Sequence, residues 1–254
     1  MERFTALLFV TDMEIITSSD NKLIKRLVKL KQKKYREIER EFYIEGYKNV
    51  LDTYTAAISS VKEVILSESA YKKYGGAFER FTVISDALFT KISDTDCAQG
   101  VISINRAPEF AFPDTDRIIY LDRVRDPGNV GTILRTACAA GYGAVLSNCA
   151  DILSPKVTRS SMSAILKCKI GLDIGIGELS SRGYEVISSD MGGENVFTSD
   201  KPSGKYCVVI GNEADGIDRE IIKSSDRVLS IPQEGIESLN AAVAAAIMMY
   251  ALRY

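Results

Sequence analysis

The sequence predicts an α/β protein in two successive parts, the second and larger built on a mostly parallel sheet with flanking helices. Three observations carry that expectation. Short runs rich in Val and Ile recur between segments whose apolar residues follow helical spacing, from Lys22 to the C-terminal residues. One stretch, Arg106-Ala107-Pro108-Glu109-Phe110-Ala111-Phe112-Pro113-Asp114, holds two prolines and breaks both periodicities, so it is the natural linker. Beyond it, three apolar runs end in Pro- or Gly-bearing loops that lead into polar residues, as strand ends do where open α/β sheets bind ligands.

In chain order, Ser19-Asp20-Asn21 caps a helix beginning near Lys22, with Leu23, Ile24, Leu27, Val28 and Leu30 as its apolar stripe and lysines covering the other side. Residues 41–45 read as a strand ending at Gly46, 47–56 as a helix, 61–66 as a strand and 69–74 as a short helix. A strand at 81–84, a helix at 86–92 and a strand at 101–105 complete the first part. The second part reads as strands at 118–121, 144–146, 185–188, 207–210 and 228–231. Its helices fall at 130–140, 155–160, 176–181, 217–223 and 240–252. The last of these is apolar on nearly every face, which predicts burial all round, against core on one side and a partner subunit on the other.

Composition narrows the function. A chain of 254 residues with 46% apolar content can bury one large core or two modest ones. No apolar run reaches the ~18 residues that span a membrane. The short Thr5–Val10 run lacks a signal-peptide cleavage pattern, so a cytoplasmic protein is expected. The five cysteines are scattered without a C-x-x-C pair, as isolated thiols in a reducing compartment are. Histidine is absent, which excludes Ser-His-Asp and Cys-His catalysis and every histidine-bearing zinc site; no metal is called for. Net charge is only −2, yet Lys22, Lys25, Arg26, Lys29, Lys31, Lys33, Lys34 and Arg36 follow one another with no acid between them. Such a run is either a solvated helix face or a surface that neutralises nucleic-acid phosphates.

Familiar nucleotide motifs fail. Gly141-Tyr142-Gly143 and Gly175-Ile176-Gly177 do not complete G-x-G-x-x-G after a strand, and G-x-x-x-x-G-K-[ST] does not occur. The three strand-end loops remain. In the first, Pro127 and Gly128 make a turn and Asn129 occupies an N-cap position, with Arg135 six residues on. In the second, Ile210-Gly211-Asn212-Glu213-Ala214-Asp215-Gly216 lets the backbone turn sharply and approach a ligand. In the third, Ile231-Pro232 leads to Ser238-Leu239-Asn240 at the head of the apolar helix.

Taken in order, Asn129-x-Gly131-x-x-x-Arg135, Ser154-Pro155-Lys156, Arg159-Ser160-Ser161-Met162, Gly211-Asn212-Glu213-x-x-Gly216, Ile231-Pro232 and Ser238-Leu239-Asn240 resemble the motifs of the SpoU/TrmH family of RNA 2′-O-ribose methyltransferases, in the knotted SPOUT superfamily. Ile16-Thr17-Ser18 through Phe42-x-x-Glu45-Gly46 is similar to the RNA substrate-binding domain often attached to that family. The resemblance implies an RNA-binding α/β domain over 14–106, a linker over 107–115 and a trefoil-knotted α/β methyltransferase domain over 116–254. It also implies a homodimer with the Asn240 helix at or near the interface. S-adenosylmethionine (AdoMet) is then expected among Ile210, Gly211, Asn212, Glu213, Gly216, Ile231, Pro232, Ser238, Leu239 and Asn240. Asn129, Arg135, Glu213, Ser238 and Asn240 become the expected catalytic group. Lys22, Lys25, Arg26, Lys29, Lys33, Lys34, Arg36 and Arg135 become the expected RNA contacts. Two positions depart from the pattern, Ser163 where the family has Gly and Ala241 where it often has Val.

The implied reaction methylates a ribose hydroxyl, so the substrate is structured RNA, with ribosomal RNA favoured over transfer RNA by the appended domain. Alternatives are a transfer-RNA enzyme, a base-methylating relative, and a catalytically idle RNA-binding protein on the same fold. The family's proposed base is the residue at Arg135. Neutralising a guanidinium at pH 7 takes roughly 7 kcal/mol, which favours a charged clamp on the target phosphate that steadies the developing alkoxide.

Overall fold

In a computed structural model that describes residues 14–235 and 238–254, the chain forms two sheets in succession. The Thr5–Val10 run lies outside the described residues. The first part holds β1 (Ile15–Ile16), α1 (Lys22–Leu30), α2 (Lys33–Glu39), β2 (Glu41–Glu45), α3 (Tyr47–Ala56), β3 (Val61–Ser67), α4 (Glu68–Tyr74), β4 (Thr82–Ile84), α5 (Asp86–Ile92) and β5 (Val101–Arg106). Its sheet runs β1-β4-β3-β5-β2, antiparallel where β5 pairs with β3 and β2. Asn21 caps α1 by accepting from the Leu23 N–H, and Ile24, Leu27 and Leu30 bury against Tyr43, Ile65, Ile102 and Ile104. The opposite sheet face packs Phe42, Ile44, Val64 and Leu66 on α3 and α4.

The second part holds β6 (Arg117–Asp122), α6 (Pro127–Ala140), β7 (Gly143–Ser147), α7 (Pro155–Ser160), β8 (Ile170–Leu172), α8 (Ile176–Ser181), β9 (Glu185–Asn195), β10 (Tyr206–Ile210), α9 (Arg219–Ser224), β11 (Arg227–Ser230) and α10 (Ala241–Arg253). All strand pairs in the order β11-β9-β10-β6-β7-β8 are parallel. Side chains alternate between faces along each strand. Ile119, Leu121, Val208 and Ile210 therefore pack on α6 and α10, while Ile118, Tyr120, Cys207 and Val209 pack with Leu179, Ile217 and the partly buried Ile221 of α9. From β6 the chain proceeds to β7 and β8 on one side, and β10 borders β6 on the other. The loops after β6 and β10 thus diverge at the sheet's centre, where a crevice opens.

The all-round burial expected of the last helix does not hold in the single chain. One face of α10 is core, with Ala245, Met248 and Met249 fully buried, but Val243, Tyr250 and Tyr254 stand exposed on it and just beyond its end. No helix among the described residues is long and apolar enough to cross a membrane.

The two sheets are joined through β2, which is the edge strand of the first and is buried along its whole length. An uncovered edge would invite pairing with another chain; α7 packs over this one. Thr158 Oγ1 donates to the Tyr43 carbonyl at 3.4 Å, and Arg159 lies 3.8 Å from the buried Glu45 carboxylate. Arg36 donates to the carbonyls of Leu30 and Lys31 and pairs with Asp151. Between the sheets, residues 107–116 carry neither helix nor strand, yet the Ala111 N–H donates to Ile170 and Pro113 is buried.

Close backbone approach explains Gly131. A Cβ there would sit 1.9 Å from Ser160 Oγ and 2.9 Å from the Ser161 nitrogen, so this glycine sets the α6–α7 spacing. Ser163 follows the same bend with φ +64°, fully buried, its hydroxyl without a partner among the described residues. A left-handed non-glycine residue costs roughly 1–2 kcal/mol, and an unpaired buried hydroxyl about 1–3. Glycine's extra unfolded-state entropy returns about 1. Ser163→Gly is therefore expected to stabilise the fold by about 1–4 kcal/mol in urea titration; a loss of stability would show the serine to be satisfied in solution.

Candidate active site

The turn between β6 and α6 begins with Asp122, a carboxylate only 4% exposed. Its oxygens accept from Arg123 Nε and Nη2 (3.1 and 2.9 Å) and from the Asp218 N–H at 2.8 Å. Arg123, at φ +56°, carries its guanidinium on to the Gly216 carbonyl at 3.4 Å. One buried acid thus ties the end of β6 to the loop after β10.

Asp126, not Asn129, caps α6. Pro127 suits the first helical position because it lacks the N–H that would go unused there. Asp126 Oδ1 accepts from the Asn129 N–H at 2.8 Å, and that bond is the main reason its carboxyl is held below the ordinary range, with Lys156 assisting. Asn129 therefore sits in the first turn with its side chain released from capping.

The released amide joins three segments. Asn240 Oδ1 caps α10 by accepting from the Ala242 and Val243 N–H groups (2.9 and 3.3 Å). Its Nδ2 donates to Asn129 Oδ1 at 2.9 Å, and Asn129 Nδ2 donates to Glu213 Oε1 at 2.7 Å. Three of the five residues expected to be catalytic lie in one hydrogen-bonded line. A carboxylate only accepts, so the Asn129 amide has one orientation compatible with both neighbours.

The Gly211–Ile217 loop is shaped by its own backbone. Asn212 and Gly216 exchange N–H···O bonds of 3.0 Å in both directions, and a Cβ on Gly211 would fall 2.2 Å from the Gly216 carbonyl carbon. Asn212 Oδ1 accepts from Ala214 and Asp215, while its Nδ2 donates to the Arg123 carbonyl. Its side chain builds the loop and has little left for a ligand.

A cavity of about 620 Å³ opens beside this loop. Ile210, Gly211, Asn212, Glu213, Gly216, Ile231, Ser238 and Leu239 line it, as expected. Pro232 does not, and Asn240 is turned to Asn129. Ser189, Asp190, Met191, Ala214, Ile217, Gln233, Ala241 and Ala244 also line it and escaped the sequence reading. The signal for the first three was the Gly192-Gly193 pair after a strand that runs on past Ser188. Gly193 has no room for a side chain, since a Cβ would meet the Val228 backbone at 2.5 Å. Ile210, Ile231, Leu239, Ala241 and Ala244 give an apolar wall and Gly211–Gly216 a backbone rim, the combination an adenosine group requires. AdoMet fits that donor set. Ser163 is not on the wall, so it does not narrow the cavity.

Arg135 stands apart. It is exposed on α6 and, at about 100° per residue, points roughly 120° around the helix from Asn129. On the first domain Lys22, Lys29, Lys33 and Lys34 are exposed, and Lys25 is exposed beside Asp20 at 2.8 Å. Arg26 is drawn to Glu41 at 2.7 Å. Arg36 leaves the expected RNA-contact set: it is 4% exposed and committed to Asp151 and two carbonyls, a strut between the sheets.

Residues 116–250 match the SpoU rRNA Methylase family, and residues 21–103 match the MRM3-like substrate binding domain. The chain is 29% identical over 250 residues to the 23S rRNA (guanosine(2553)-2′-O)-methyltransferase RlmP of Bacillus subtilis, covering 95% of this chain and 100% of that one. It resembles the AdoMet-bound rRNA methyltransferase of Sinorhizobium meliloti with TM-score 0.80 and 28% identity, over 95% of this chain and 97% of the other. The fold alone is shared with AviRb of Streptomyces viridochromogenes in complex with AdoMet, at TM-score 0.78 and 23% identity over 91% and 97% of the two chains.

Asp122→Ala is expected to loosen the loop without unfolding the sheet. Losing a buried charge-assisted bond, worth about 1.5–3 kcal/mol, lowers hydrogen-exchange protection of the Gly216 and Asp218 amides roughly 10- to 100-fold. Unchanged protection there would mean that the acid does not hold the loop.

Proposed function

Because the chain belongs to the SpoU rRNA methylase family, whose members methylate RNA from AdoMet, we propose that it methylates a ribose 2′-hydroxyl of large-subunit ribosomal RNA. The observation that carries the proposal is the Asn240–Asn129–Glu213 line beside the cavity, since it joins a fixed amide and a carboxylate to the cofactor wall.

Bound in the cavity against Ile210, Ile231 and Leu239, AdoMet supplies an electrophilic methyl group on a sulfonium. The chain's own residues must then position an oxygen in line with it and dispose of a proton. Positioning is worth roughly 7–11 kcal/mol when reacting atoms are held in contact. Asn129 and Ser238 orient the ribose. Glu213 is acceptor-only and has one oxygen engaged by Asn129; its other oxygen receives the hydroxyl proton, directly or through water. Arg135, exposed on α6 and turned away from Asn129, holds an RNA backbone phosphate of the bound target.

The domains run 14–106 and 116–254 with 107–115 between them. The exposed Lys22, Lys25, Lys29, Lys33 and Lys34 engage RNA phosphates, a sequence-independent grip that weakens with salt. The knotted topology is supported by the match of residues 116–250 to the SpoU rRNA Methylase family. A homodimer through α10 is supported by the apolar Val243, Tyr250 and Tyr254, between 45% and 76% exposed in the single chain. The enzyme acts in the cytoplasm.

Incubating unmodified large-subunit RNA with labelled AdoMet is expected to give one 2′-O-methylated nucleotide, located by reverse-transcription stops at low dNTP. Label on a base atom, with ribose unmodified, would refute the proposal. Arg135→Lys is expected to lower kcat/KM about 10- to 100-fold, because a point charge replaces a planar two-pronged donor. Near-full activity would remove the bidentate clamp from the mechanism.

A further inference from the structure

Asp190 belongs to none of the strand-end loops that made up the expected site. It reaches the cavity wall because β9 continues to Asn195, and Gly193 lets the strand pass close to the Val228 backbone. It is half-buried, and its Oδ1 accepts from the Gly192 N–H at 2.9 Å, which pins the carboxylate in a local turn. Across the cavity, Glu213 adds a second carboxylate with one oxygen bound to Asn129. Among the described residues, no lysine or arginine lines the cavity. The wall is therefore anionic and lacks a built-in counter-charge.

That charge bears on a problem every AdoMet enzyme faces. Cofactor and product share the adenosine and the amino-acid tail, and differ by one methyl group and one positive charge on sulfur. Apolar and backbone contacts read the shared parts. The methyl alone changes affinity roughly four-fold. A charged wall can read the sulfonium.

We propose that Asp190, together with Glu213, biases the cavity toward the sulfonium cofactor over the neutral thioether product by charge, so that fresh AdoMet outcompetes spent S-adenosylhomocysteine for the cavity after transfer. The inference rests on the cavity being the AdoMet site. A partly exposed carboxylate is screened, which limits its effect on the cation to roughly ten-fold. The effect on the neutral product is small.

Calorimetric titration of the full chain with AdoMet and, separately, with S-adenosylhomocysteine tests this in wild type and Asp190→Asn. The variant is expected to weaken AdoMet five- to ten-fold and to leave S-adenosylhomocysteine within two-fold. Raising salt from 50 to 500 mM is expected to weaken AdoMet in wild type more than in the variant. Retained product binding also reports that the variant cavity is intact. Equal weakening of both ligands, or no change in either, overturns the inference while leaving the methyltransferase reading in place. Failure of the wild type to bind either ligand overturns that reading as well.

Discussion

The Asn240 side chain has little freedom. Its oxygen is claimed by the first N–H groups of α10, so its amide nitrogen must face away from that helix, toward Asn129. Asn129 in turn must offer its oxygen to Asn240 and its nitrogen to Glu213. A helix cap thereby dictates the orientation of the Asn129 amide on a second helix and of the Glu213 carboxylate on a loop. Everything else at the site serves to bring the three together. Asp126 takes over the capping of α6 and frees Asn129; Gly131 lets α6 lie close on α7; Asp122 and Arg123 hold the Gly211–Gly216 loop against the end of β6.

The site's charge is divided by location. Carboxylates face the cofactor cavity, whereas the exposed lysines of α1 and α2 lie on the other sheet. The two surfaces are held in a fixed relation. That relation rests on β2, covered by α7 and tied by Thr158, Arg159 and Arg36 to the other part of the chain. Burial of Glu45 and Arg36 there is costly unless each is paired, and both are. The joint is thus specified by polar contacts that tolerate only one arrangement, and substituting either member of a pair leaves a charge stranded.

Much of this was legible in the sequence because periodicity and turn chemistry are local. The strand at 41–45 and the helices at 47–56, 86–92, 155–160 and 176–181 have the bounds their patterns predict. Three strand-end loops could be singled out by their glycines, prolines and polar residues before any contact was known. What was not legible depends on distant partners. β8, three residues with a central glycine, gains its status only by pairing with β7. The continuation of β9 through Asp190 depends on backbone passing close to Val228. The cap of α6 is different, since its signal is local: Asn129 and Asp126 are both good caps, and Pro127, suited to the first helical position, selects Asp126. Arg36 looked like one more exposed charge until Asp151, 115 residues later, was brought to it. The sequence of α10 is apolar on nearly every face, yet among the described residues only one face is core, and its pattern alone could not say which face stays exposed in the single chain.

The most direct test of the hydrogen-bonded line is a double-mutant cycle on single-turnover methyl transfer, using Asn129→Ala, Asn240→Ala and the pair. If Asn240 acts by orienting Asn129, the two single variants and the double lose rate to a similar extent, with a coupling of about 1–3 kcal/mol between sites in direct contact. If the losses simply add, each asparagine acts on its own and the account of one cap setting one catalytic amide is wrong.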